Sequence, residues 1–132
     1  MISFNENKKP GEYSPLALAY IGDSVYEVYV RSRIIAENPN LAAHKLHVEA
    51  IKYVKAHAQS NSMEAVAPIL DESELAVYKR GRNAKSATVP KNADLTDYRR
   101  ATGFEALVGY LYICARHQRL EEVMKVAFEN AQ

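Results

Sequence analysis

Asp23 stands at the centre of "ALAYIGDSVYEVYV" (residues 17–30), and Glu105 stands in "GFEALVGYLYICA" (residues 103–115). Both acids are flanked by apolar residues, and both have glycine close by: Gly22 beside Asp23, Gly103 and Gly109 around Glu105. Glycine inside a helix costs about 1 kcal/mol relative to alanine. An unpartnered carboxylate in apolar surroundings is costlier still. Two such segments point to carboxylates converging on something positive, either an arginine, with Arg99 and Arg100 as candidates, or a metal ion. In the metal case the chemistry is specific: carboxylate oxygens, waters and substrate phosphates make up the usual Mg²⁺ shell. Such an ion activates water and stabilises the leaving oxygen in phosphoryl transfer. Glu27, one helical turn after Asp23, is the other acid that could support the site.

A second group of residues complements this one. Between Lys79 and Lys91 there are five cations (Lys79, Arg80, Arg82, Lys85, Lys91) and no Asp or Glu. Asn83, Ser86, Thr88 and Asn92 add short hydrogen-bonding side chains. This mixture suits phosphate and sugar contacts, which position a nucleic acid without reading its sequence. No aromatic residue lies between Arg82 and Lys91, which disfavours single-strand base stacking. Beside two acids in apolar helices, the segment reads as the substrate-holding part of a nuclease.

These residues must be positioned by helices, because the periodicity is helical nearly throughout. Ser14-Pro15 is a helix start, and the helix it opens runs to about Ala36 before "ENPN" stops it. Leu18, Ile21, Val25 and Val28 form one apolar stripe on it. Leu16, Tyr20, Asp23, Glu27, Val30 and Ile34 form another, so this helix is expected to be surrounded, in the core or against another subunit. A second helix is expected from about Ala42 to Ser60, with Leu46, Ala50, Tyr53, Val54 and His57 on one face. "SMEAVAPIL" reads as a short helix stopped near Pro68. Asp71 with Glu74 resembles a capping box opening a helix through Lys79. "GRNAKSATVPKNAD" reads as a loop. A long helix then spans about Leu95 to His117, with Phe104, Leu107, Val108, Leu111 and Ala115 inward, and a last one runs from about Leu120 to Ala131. The fold class is all-α: a single domain over residues 1–132, with residues 1–13 as a flexible N-terminal arm.

Composition agrees. A chain of 132 residues with 48% hydrophobic content can build a real core. Its single cysteine excludes an intramolecular disulfide and fits a reducing compartment. No stretch approaches the ~18 uninterrupted apolar residues of a membrane helix, and the N-terminus has no apolar leader. The expectation is a cytoplasmic protein with no membrane partner. His44 and His47 are spaced i, i+3 but have no obvious third ligand. Cys114 reads as a core thiol.

"LAYIGDSVYEVYV" resembles the signature helix of ribonuclease III, usually written with "LEFLGDAVL"-type residues, and "FEALVGYLY" is similar to that family's second acidic segment, "FEALIGAIYL". With "RGRNAKSATVPKN" between them, the pattern looks most like the Mini-ribonuclease III group, whose members are little more than the catalytic domain. The match extends from about Tyr13 to Glu129. By this resemblance Asp23 and Glu105 are the catalytic ligands of Mg²⁺, with Mn²⁺ as a substitute. The basic segment would lie on the phosphates of an RNA duplex. The resemblance further implies a two-fold homodimer with the signature helix in its interface, cutting double-stranded RNA by metal-assisted hydrolysis. It implies precursor 23S ribosomal RNA as substrate, with a ribosomal protein or assembling large subunit as a possible partner. Two further acidic positions of full-length ribonuclease III hold Ala19 and Thr102 here, leaving a thinner metal site, with Glu27 or waters as its outer support. The competing reading is a non-catalytic RNA- or ribosome-binding protein on the same fold.

Overall fold

The helix signals resolve into six α-helices among the described residues. A computed structural model of the chain describes residues 2–4, 9–85 and 89–132, and no β-strand occurs among them. In chain order the helices are α1 (Pro15–Glu37), α2 (Ala43–Val54), α3 (Ala56–Val66), α4 (Glu72–Asn83), α5 (Leu95–Ile113) and α6 (His117–Glu129). Short 3₁₀ turns occupy Pro10–Glu12 and Ala67–Ile69.

Local chemistry explains where helices start. The Ser14 hydroxyl accepts from the Ala17 N–H at 3.0 Å, with Pro15 following it. The Asp71 carboxylate accepts from the Glu74 N–H at 2.8 Å, and Glu74 accepts from the Asp71 N–H at 3.0 Å, a complete capping box. Asp94 caps α5 by accepting from the Asp97 N–H at 3.0 Å. α5 ends in a Schellman motif, with the Arg116 N–H donating to the Leu111 carbonyl and the Ala115 N–H to the Tyr112 carbonyl, each at 3.0 Å. Ala115 holds the left-handed position, φ 55°, where glycine is usual.

Three boundaries differ from the sequence expectation. The helix expected over 42–60 is broken at Lys55, whose backbone is extended (ψ 153°). No glycine or proline marks this corner; the Gln59 Nε2 closes it by donating to the Val54 carbonyl at 3.0 Å. α4 runs on to Asn83, so Arg80, Arg82 and Asn83 are helical rather than part of a loop. The long helix expected to reach His117 stops at Ile113, and α6 begins there instead of at Leu120.

α5 is the central helix, with α1, α3, α4 and α6 packed around it. Phe104, Leu107, Val108 and Leu111 are fully buried, as their spacing predicted, whereas Ala115 lies beyond the helix end and is exposed. On α1 the buried stripe is Leu18, Gly22, Tyr26, Val30 and Ile34. This redraws the two predicted stripes: Val30 and Ile34 join Leu18 inside, while Tyr20 and Val28 face out, 82% and 65% exposed. Asp23 is exposed as well. At the far end of the bundle the wholly buried Glu74 carboxylate receives the Arg119 Nε at 2.8 Å, which fastens α6 to α4. The Arg119 guanidinium holds the Glu74 carboxyl below the usual carboxylate range despite its burial.

α1 and α5 meet backbone to backbone. A Cβ added at Gly22 would overlap the Glu105 carbonyl, and one at Gly109 would overlap the Leu18 carbonyl. The pairing of 22 with 105 and 18 with 109 makes the two helices antiparallel. The N-terminal arm is not wholly detached: Phe4 meets Tyr112 edge-on at 6.2 Å. The Gly11 carbonyl accepts from the Arg80 guanidinium at 3.3 Å.

Candidate active site

The α1–α5 crossing is what assembles the site. Because Gly22 rests on the Glu105 carbonyl, its neighbour Asp23 is brought alongside the Glu105 side chain, which is half-buried. Burial pushes the Glu105 carboxyl up to about 8, and the Asp23 charge and a hydrogen bond with Asp23 push the same way. Gln59 acts in the opposite direction, favouring the charged form. At neutral pH Glu105 therefore keeps its proton in this setting.

No Lys or Arg among the described residues forms an ion pair with either acid. The arginine reading fails on this point: Arg100 turns to Glu64, its Nη2 donating at 3.2 Å. Glu27 is engaged elsewhere too, accepting from Arg31 at 3.1 Å on the exposed side of α1. Beside Glu105 stands Gln59, 1% exposed, with its Oε1 lacking any hydrogen-bond partner. No residue spacing singled it out. The signal lay in the composition of α3, "AHAQSNSMEAV", whose buried face carries polar Gln59, Ser60 and Ser62.

The donor set suits a hard cation. Among the described residues there is no cluster of three or more His, Cys, Asp or Glu in a ligating arrangement. The site offers two carboxylates. Mg²⁺ is commonly held by one or two carboxylates, with waters and substrate phosphates completing its shell, so the residues present fit it. His44 and His47 are exposed on α2, away from this pair. Of the two positions where fuller family members carry acids, Ala19 is buried, and the Thr102 hydroxyl donates to the Tyr98 carbonyl at 2.9 Å.

The basic segment divides between α4 and the connection that follows. Arg80 is exposed on the last turns of α4. The Arg82 guanidinium lies 5.7 Å from the Tyr78 ring centre, and its Nε donates to the Asn83 side chain at 3.2 Å. Lys85, Lys91 and Asn92 are exposed beyond it. Ser86 and Thr88 lie outside the described residues.

Residues 16–116 match the Ribonuclease III domain family, a span holding both carboxylates and the whole basic segment. The chain belongs to the ribonuclease III family. It is 50% identical over 115 residues to the Mini-ribonuclease 3 of Clostridium tetani, covering 87% of this chain and 76% of that one. It is 47% identical over 124 residues to the Mini-ribonuclease 3 of Brevibacillus brevis, covering 92% and 90%. A crystal structure of a Fusobacterium nucleatum protein superposes with a TM-score of 0.80 at 25% identity, covering 92% and 96% of the two chains. This ribonuclease III chain is accordingly all-helical in fold and an endoribonuclease in activity. Enzymes of the family generally use a divalent metal. No helix is long and apolar enough to cross a membrane among the described residues.

Proposed function

We propose that this ribonuclease III chain is a Mg²⁺-dependent endonuclease of double-stranded RNA, acting as a homodimer, with Asp23 and Glu105 as its catalytic metal ligands. The observation that carries this reading is the pairing of two carboxylates from separate helices with no ion pair to a cation among the described residues. Such a pair is unfavourable alone and becomes favourable around a divalent ion. Mg²⁺ held there, or Mn²⁺ in its place, supplies polarisation of the phosphodiester, an activated water and neutralisation of the leaving 3′ oxygen.

The chain's own residues prepare that chemistry. The backbone contact at Gly22 fixes how far apart the two carboxyl groups can be before substrate arrives, which is preorganisation rather than induced assembly. Glu105 must release its proton to act as a ligand. Arg80, Arg82, Lys85 and Lys91 take duplex phosphates, and Asn83, Ser86, Thr88 and Asn92 are assigned hydrogen bonds to phosphate or sugar oxygens. A duplex is read chiefly by shape and 2′-hydroxyls. No nucleophilic side chain is required. Tyr20, Val28 and Ile35, all exposed on α1, support a two-fold contact along that helix that would give one active site per RNA strand. The resemblance to Mini-ribonuclease III supports precursor 23S ribosomal RNA as the substrate, presented by a ribosomal protein or the assembling large subunit, in the cytoplasm.

Cleavage of a duplex RNA in Mg²⁺ by wild type and Asp23→Asn tests the assignment. The expected outcome is a loss of at least ~100-fold in rate, with helical content, dimer mass and RNA affinity retained. Equal cleavage by the variant would remove Asp23 from the site. A variant that unfolds would make Asp23 a structural residue instead.

A further inference from the structure

Gln59 is the polar side chain of the site that none of the above employs. It arrives from a third helix, α3, and is 1% exposed. One end is anchored: Nε2 donates to the Val54 carbonyl at 3.0 Å, at the α2–α3 corner. That anchor also fixes which end of the amide is which, because only nitrogen can donate to a carbonyl. The carboxamide contacts the Glu105 carboxyl, and its Oε1 has no hydrogen-bond partner. A buried amide oxygen left unpaired carries a desolvation penalty.

We propose that Gln59 is a positioning residue of the nuclease site, its Nε2 holding the Glu105 carboxylate in its ligating orientation from the α2–α3 corner. This rests on the reading of Asp23 and Glu105 as metal ligands and extends it. Gln59 supplies polarity from α3 at a site where Ala19 and Thr102 supply no acid from α1 and α5. Being neutral, it adds no third negative charge beside Asp23 and Glu105. The bland alternative is that Gln59 only caps the exposed carbonyl at the end of α2, in which case its removal affects folding and nothing else.

Mn²⁺ binding to the full-length protein, titrated by electron paramagnetic resonance, separates the two. Gln59→Met keeps the length and removes the amide. It should weaken Mn²⁺ affinity by about tenfold or more, the range expected for a group that orients a metal ligand. Cleavage lost at low Mg²⁺ should return at high Mg²⁺, and RNA affinity should not change. Unaltered Mn²⁺ affinity in a folded Gln59→Met protein, even one that melts earlier, would overturn the proposal. If Gln59→Met does not fold, Gln59→Glu decides: having lost the donor that orients Glu105, it must show a smaller rise in melting temperature on adding Mg²⁺ than wild type, and an equal or larger rise overturns it. Asp23→Asn run in parallel distinguishes the levels. If it too binds Mn²⁺ like wild type, the metal-site reading itself is wrong. If it loses Mn²⁺ while Gln59→Met keeps it, only Gln59's role is wrong.

Discussion

Between the ordinary glutamate value of 4.5 and about 8, the folded chain keeps a proton on Glu105 that the unfolded chain has released. Its folded-state value is the raised one, so the unfolding free energy falls as pH climbs through that window and levels off above it. Glu105→Gln removes this dependence. In EDTA above pH 8 the variant should melt at a higher temperature than wild type, and toward pH 4.5 the two should converge. Excess Mg²⁺ should reverse the order by stabilising wild type alone. Lower melting of the variant at every pH would mean that Glu105 has a structural partner. Among the cations, Arg82→Ala should weaken duplex binding and reduce the slope of log affinity against log salt by about one. An unchanged slope would take Arg82 off the phosphates. Asp23 and Glu105 were legible in the sequence because a charge inside an apolar helix violates the pattern around it. Gln59 was not, since a neutral polar residue in a mixed helix violates nothing. Its burial follows from the corner at Lys55, which no residue type announces. Glu27, one turn from Asp23, is spaced equally well from Arg31 and pairs with it.

The helix starts were readable because hydrogen-bonding side chains write them: Ser14 and the Asp71–Glu74 box stand where their types predicted. The ends were less so. α4 passes through Gly81 to Asn83 because tertiary packing on α5 outweighs the modest helix penalty of glycine. On α1, four-residue spacing from Leu18 to Ile34 selects the buried stripe, which the sequence had divided between two faces. Glycines divide into those the fold requires and one position where it lacks one. Gly22→Ala would set a methyl against the Glu105 carbonyl and 2.8 Å from the Gly109 nitrogen. Neither is a flexible side-chain end, so the helices must separate. A loss of at least ~3 kcal/mol in chemical denaturation is expected, at the upper end of overpacking penalties. Ala115→Gly should do the reverse, adding about 0.5–1 kcal/mol by relieving a left-handed alanine in the Schellman turn. Tolerance of Gly22→Ala would refute the close crossing, and destabilisation by Ala115→Gly would refute the strained cap.

At the scale of the molecule, the outer face of α1 is the part left without a covering element. Tyr20, Val28 and Ile35 are 82%, 65% and 53% exposed, a run of large apolar groups that a lone domain has no use for. The sequence announced this helix as apolar on more than one side. It could not say which side meets the core and which is left uncovered, since both are lined by the same residue types. Val28→Glu should shift the mass measured by light scattering from dimer to monomer, leave the helical circular dichroism intact, and abolish paired cuts across a duplex. A dimer that persists would place the two-fold contact elsewhere. The main-chain contact between α1 and α5 has one more consequence. The acids are joined by the densest part of the bundle, while Lys85, Lys91 and Asn92 ride on an exposed connection between α4 and α5. On warming, such peripheral segments open first and close-packed cores last. The enzyme should therefore lose its grip on substrate at temperatures where its cutting centre is still intact, so heat inactivation begins as a failure of capture, not of chemistry.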